Sequence, residues 1–212
     1  MSQFPPLMVK VWGPMACFTR PEMKVERVTY PVPTASAARG VLEAIFWKPQ
    51  FAWQVQEVWV LKPIRYVSLL RNEVKSKASV RSTKRWAEEG GYFDIGEERT
   101  QRHTLALKDV AYVIKARVQV AEDCDDPPPK FRDQFRRRVQ RGQCFTRPYL
   151  GCREFAAAFG PVQGDEEPIR ASRDLGPMLL DLDYEGDSGR GEPVFFEARL
   201  VDGVVRYPER RL

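Results

Sequence analysis

The feature that most constrains this fold is an alternation with a period of two. Phe51, Trp53, Val55, Trp59 and Leu61 occupy odd positions, with Gln54 and Gln56 between them. Successive side chains of an extended strand point to opposite faces. The pattern therefore predicts a long strand with one apolar face, closed at Pro63. Two indoles on one face require a layer packed across them. Val110, Tyr112, Ile114, Ala116, Val118 and Val120 repeat the pattern within a strand expected over residues 103–120, with Lys115 and Arg117 on its other face. Leu7, Val9 and Val11 mark a first strand, which Gly13-Pro14 is expected to break or bend.

Two helices supply the covering layer. Thr34 is a good N-cap, and Ala38, Val41, Leu42 and Ile45 follow at helical spacing, predicting a helix over 34–47 that ends before Lys48-Pro49. A second helix is expected over 130–141, with Phe131, Phe135 and Val139 as its apolar stripe and Gly142 as its C-cap. Residues 18–32 read as loop, and 150–162 contain another strand. The order strand–helix–strand–strand–helix–strand predicts an α+β fold, a ferredoxin-like (RRM-like) domain over 1–164. Pro177 to Tyr184 reads as a strand and Pro193 to Tyr207 as a hairpin turning at Asp202-Gly203, giving a small antiparallel β domain over 165–212. Residues 71–102 change from basic to acidic and read as a long, mobile excursion.

Composition removes several classes. The 212 residues are 43% hydrophobic and 30% charged, which is globular composition. No apolar run approaches the ~20 residues of a membrane helix. The N-terminus lacks the zones of a signal peptide, so a cytoplasmic protein with no membrane partner is expected. Cys17, Cys124, Cys144 and Cys152 show no C-x-x-C spacing and read as free, mostly buried thiols. A single histidine excludes a His-rich zinc site and any mechanism needing two histidines. Gly186 to Gly191 reads as a flexible connection. Asp181 and Asp183 share a strand face and read as solvated, with a divalent-metal role as the weaker option. No cofactor and no metal are expected.

The net charge of +5 is mild, but its basic residues cluster. Residues 62–85 carry Lys62, Arg65, Arg71, Lys75, Lys77, Arg81, Lys84 and Arg85 against the single acid Glu73. The second helix carries Lys130, Arg132, Arg136, Arg137, Arg138 and Arg141 on its polar faces. Clusters of this kind attract a phosphate backbone, although Arg136–Arg138 also fit a solvated helix face. RNA cleavage without metal needs a base, a cation and an acid around the scissile phosphate. His103, beside Arg102 at a strand start, is the one imidazole available as base, and it also fits an ordinary surface position.

Several stretches carry a resemblance: Cys17 to Arg27; Ser36 to Gly40, running on through Glu43 to Pro49; Arg71-Asn72-Glu73-Val74; Val110 to Ile114; Arg136-Arg137-Arg138 with Gly142-Gln143; Leu150 to Phe155; and Leu175 to Asp181. Together they resemble the CRISPR-associated "Cas five" proteins of subtype I-C (the d or c variant), within the repeat-associated mysterious protein (RAMP) superfamily. The resemblance implies an endoribonuclease that cuts precursor CRISPR RNA within its repeat hairpin and retains the 5′ handle in an interference complex. Its implied partners are the backbone and large subunits of that complex. The family's catalytic tyrosine, lysine and histidine fall here on Phe46, Lys130 and Phe131, so only Lys130 keeps the family residue. The implied RNA contacts are Arg20, Lys24, Arg39, Lys48, Arg71, Lys75, Lys77, Arg136, Arg137 and Arg138. The competing expectation is a non-cleaving subunit that binds RNA or duplex DNA, because neither phenylalanine can move a proton.

Overall fold

The structure, a computed structural model, describes residues 4–183 and 191–209. Its elements in chain order are β1 (Leu7–Ala16), β2 (Arg27–Val28), α1 (Ala35–Ile45), β3 (Phe51–Val60), β4 (Tyr66–Val74), α2 (Val80–Glu89), β5 (Arg99–Val120), α3 (Pro128–Arg141), β6 (Ala158–Gly160), β7 (Arg173–Asp183), β8 (Glu192–Val201) and β9 (Val204–Arg206). Among the described residues the strands form one curled sheet in the order β6-β1-β5-β3-β9-β8-β7, with β2 and β4 also paired to β5. All pairings are antiparallel except β2 with β5. Tyr184 and most of the glycine-rich stretch lie outside the described residues.

The 22 residues of β5 organise the sheet. Leu107 to Ala116 pair with β1, and Tyr112 to Val120 pair with β3. Arg99 to Leu107 pair with β4, so β3 and β4 run end to end beside one strand. Between them Asp109 adopts a left-handed conformation (φ 52°). Its carboxylate accepts from Lys62 Nζ at 2.5 Å and from Arg65 at 2.9 Å. Leu61 N–H still reaches the Ala111 carbonyl and Lys108 N–H the Arg65 carbonyl, so the ladder continues across the bend.

The helices cover one face. Thr34 caps α1 by accepting from Ala37 N–H at 3.1 Å, and Gly142 ends α3 in the left-handed region (φ 63°). Phe131, Phe135 and Val139 are buried as the α3 stripe, beneath them Phe51, Trp53 and Tyr112. The Trp53 and Phe135 rings lie 4.7 Å apart. Beyond β3, β8 and β9 turn at Asp202-Gly203, both at positive φ. A Cβ on Gly203 would stand 2.3 Å from the Ile169 carbonyl oxygen, so only glycine fits that turn.

Three local expectations are corrected. Gly13-Pro14 does not break β1: Gly13 pairs with Val110 and Met15 with Lys108. Trp59 does not share a face with Trp53, because a bulge between Val55 and Glu57 shifts the phase by one residue. Val58 and Val60 are buried instead, and the Trp59 indole donates to Glu57 Oε2 at 3.2 Å. Residues 71–102 are not a loose excursion but the distal hairpin of β4 and β5 with α2 between them. The strand expected within 150–162 is present as Ala158–Gly160.

The sheet face opposite the helices carries charge pairs. Glu57 meets Lys115 at 3.3 Å and Arg206 at 3.5 Å. Glu166, its side chain 2% exposed, accepts from Lys10 at 3.2 Å and from the Gln163 and Gly164 N–H groups at 3.0 Å. Burial alone would raise both carboxyl pKa values, but these donors outweigh it and hold both below the ordinary range. A carboxylate whose pKa is lower folded than unfolded stabilises the fold above the unfolded value and loses that contribution as pH falls through the folded one. Urea midpoints taken from about pH 7 to about pH 3 are expected to fall in that window, less steeply in Glu57→Gln. An identical acid limb in the variant contradicts this role.

Candidate functional site

The resemblance-derived positions converge at the junction of α1, β3 and α3, though not as exposed groups. Phe46 ends α1, and its carbonyl accepts from the Trp53 indole at 2.9 Å. Phe51 lies 5.3 Å from the Phe46 ring and 5.1 Å from the Phe131 ring. Both flanking rings are fully buried, Phe46 at 1% and Phe131 at 0% exposure. These two positions form hydrophobic core and present no polar atom to solvent. Their chain neighbours do the opposite: Trp47 is 53% exposed and Lys48 half-buried. Lys130 is exposed on the first turn of α3 and pairs with Asp126 at 2.7 Å.

Arg138 fastens this junction. Its guanidinium donates to the Ile45 carbonyl at 2.8 Å and lies 5.2 Å from the Phe46 ring centroid. A cation is favourable at a helix C-terminus and over an aromatic face. Phe145 and Thr146 N–H groups both reach the Ala44 carbonyl. Arg138 is therefore a brace between helices rather than a free cation, while Arg137 is exposed and Arg136 pairs with Asp133 at 3.3 Å. Arg132, expected on a polar face, is 4% exposed with its guanidinium 5.5 Å from the Phe4 ring, and burial lowers its pKa.

The other basic positions divide in the same way. Arg39 is held by Asp181 in a two-pronged pair and by Glu43 at 3.6 Å. Asp181 is correspondingly buried rather than solvated. Arg71 donates to Thr104 Oγ1 at 2.8 Å, Glu73 at 2.6 Å and Glu154 at 3.2 Å. It ties β4 to the loop at 152–155. Arg20 lies 4.6 Å from the Tyr30 ring centroid and 3.7 Å from Glu22. Lys24, Lys75 and Lys77 are exposed, with no ion pair among the described residues.

His103 stands on the exposed face of the distal hairpin, opposite Leu70. Phe51, the neighbour of Phe131, pairs with Val120 of the same β5. Residues 103 and 120 are about 56 Å apart measured along the strand at ~3.3 Å per residue. His103 is thus remote from Lys130 and does not replace an imidazole there.

The cysteines form no disulfide. Cys17 and Cys152 are buried together, and Cys152 Sγ receives Arg27 at 3.3 Å. The thiol hydrogen bond from Cys17 and the Arg27 charge pull the Cys152 pKa down to about 6 against burial, while Cys17 is pushed up. Cys144 is exposed, contrary to the expectation of mostly buried thiols.

A curled antiparallel sheet covered on one side by two helices, with exposed cations rimming an aromatic junction, has the surface chemistry of proteins that hold phosphate polymers. Residues 7–208 match the sequence model Cas_Cas5d, described as CRISPR-associated protein (Cas_Cas5). The chain is 44% identical over 221 residues to the CRISPR pre-crRNA endoribonuclease Cas5d of Thermus thermophilus, covering 97% of this chain and 92% of the relative. It is also 44% identical over 216 residues to the protein of that name from Mannheimia succiniciproducens, covering 95% and 94%. A crystal structure titled as a CRISPR-associated protein superposes with a TM-score of 0.67 at 23% identity, over 96% of this chain and 91% of that one. A functionally uncharacterized Streptococcus mutans protein gives 0.67 at 20% identity, over 96% and 92%. This chain belongs to the Cas5 family, in its Cas5d branch of subtype I-C.

The packing makes one prediction about the altered family positions. Phe131→His places a polar ring among Phe51 and the α3 stripe at a site with no exposure. It is expected to destabilise the fold by about 2 kcal/mol or more, read as a lower urea midpoint. An unchanged midpoint contradicts the core assignment of Phe131.

Proposed function

We propose that this protein is a CRISPR RNA-processing endoribonuclease that cuts precursor CRISPR RNA within its repeat. The observation that carries this reading is 44% identity, over nearly the whole chain, to two relatives named for that activity. The strand order β6-β1-β5-β3 with α1 and α3 on one face supports reading residues 1–164 as a ferredoxin-like domain. Residues 165–212 then form the small β domain, its β9 laid against β3.

In this reading Lys130 is the electrostatic catalyst. Its exposed pair with Asp126 is worth at most about 1 kcal/mol, so a scissile phosphate competes for the ammonium group. A cation there stabilises charge on the phosphorane as the 2′-oxygen attacks, its proton passing to water, and the 5′-oxygen leaves and takes a proton from water, giving a cyclic phosphate upstream. Lys48, beside Phe46, is the second cation at the same junction. Phe46 and Phe131 do not take part in proton transfer. Turnover is therefore slower than in a relative with the tyrosine and histidine, each such group being worth about 10²–10⁴-fold.

Arg20, Lys24, Lys48, Lys75, Lys77, Arg136 and Arg137 hold the repeat, while Arg39, Arg71 and Arg138 position the elements that carry them. The protein partners of this reading are the backbone and large subunits of the subtype I-C interference complex. Duplex DNA is a further ligand for the same cations, and the site of action is the cytoplasm. No helix among the described residues is long and apolar enough to cross a membrane.

Purified protein in excess over its cognate repeat RNA, in EDTA, is expected to give one cut. Lys130→Ala is expected to slow single-turnover cleavage about 100-fold while changing RNA affinity only a few-fold. Intact RNA at excess wild-type protein, with tight binding, would mark a non-cleaving subunit and overturn the proposal.

A further inference from the structure

The sheet face away from the helices bears a second shaped site, lined by neither Phe46 nor Phe131. Trp12 projects from β1 onto that face and is 39% exposed. Its ring lies beside Gly160 of β6, where a Cβ would stand 3.6 Å from Cη2. Glycine there keeps that flank of the indole free of a side chain. A cleft of about 420 Å³ opens along the ring, between Gly13-Pro14, Lys62, Asp109, Arg147 and Ala156–Ala158.

The charges around this cleft favour an anion. Asp109 is already matched by Lys62 at 2.5 Å and Arg65 at 2.9 Å. Arg147 is exposed, with no ion pair among the described residues. The acid in the cleft is therefore outnumbered by cations. The cleft lies at the bend of β5, where Asp109 takes its left-handed conformation. A flat exposed indole flanked by lysine and arginine is the combination that holds single-stranded nucleic acid: a base stacks on the ring while its phosphates meet the cations.

We infer that the Trp12 cleft receives an unpaired nucleotide of the RNA, stacked on the indole with its phosphate toward Lys62 and Arg147. This rests on the RNA-processing reading for the identity of the polymer, but it uses a different surface. A protein segment is the competing occupant.

The test uses the full-length protein and an unstructured dodecameric RNA as probe. Trp12→Ala is expected to weaken binding of that probe roughly tenfold. Trp12→Phe keeps a ring and is expected to keep affinity within about threefold, while losing the indole quenching seen on RNA addition to wild type. At saturating protein, both variants are expected to cut the cognate repeat RNA at the wild-type single-turnover rate. Unchanged probe affinity in Trp12→Ala overturns the inference and leaves the cleft to a protein ligand. A wild-type protein that binds the probe through Trp12 but never cuts its repeat supports the cleft and removes the endoribonuclease reading alone.

Discussion

The pairing of β5 is the interaction on which the rest depends. One strand of 22 residues hydrogen-bonds to β1, β2, β3 and β4. Because side-chain direction alternates along it, one register decides both faces at once. Tyr112, Ile114 and Ala116 enter the core under the helices, and Lys115 and Arg117 are placed on the opposite side. The same strand carries the distal hairpin away from the core. Asp109 interrupts it at the one point where β3 hands over to β4. Its left-handed backbone and its pairs to Lys62 and Arg65 allow the sheet to bend without losing its ladder.

Burial determines what the altered family positions do. Phe46, Phe51 and Phe131 form a row of contacting rings. Edge and tilted contacts between such rings contribute about 0.5–1.5 kcal/mol beyond their area. The substitutions thus add apolar contact where proton-moving groups are expected by resemblance. The cations next to them in sequence remain on the surface. The positions where the resemblance implies proton transfer are thus apolar core, while Lys130 beside them stays exposed.

Local patterns were legible in the sequence, and long-range pairings were not. The α3 stripe of Phe131, Phe135 and Val139 and the Thr34 cap of α1 follow from spacing alone. The face of Trp59 is not legible from alternation alone, because a bulge costs one residue of phase and has no fixed signature. Residues 71–102 looked mobile because charged residues mask an alternation whose faces are both partly solvated: Val67, Leu69 and Arg71 turn inward, Tyr66, Leu70 and Val74 outward. Which arginines are free was equally hidden. Arg39, Arg71 and Arg138 find Asp181, Glu154 and the Ile45 carbonyl from distant segments. Counting cations in a window cannot separate a brace from a phosphate ligand. The Trp12 cleft is not legible in the sequence because its walls come from β1, β5, β6 and two loops.

The central claim is that cations at the α1–β3–α3 junction, rather than the buried rings, meet the RNA. Lysine-acetylation footprinting of the protein with and without its cognate repeat RNA tests this most directly. Lys48 and Lys130 are expected to be protected by the RNA. Equal acetylation of Lys48 and Lys130 in free and RNA-saturated protein would contradict the account.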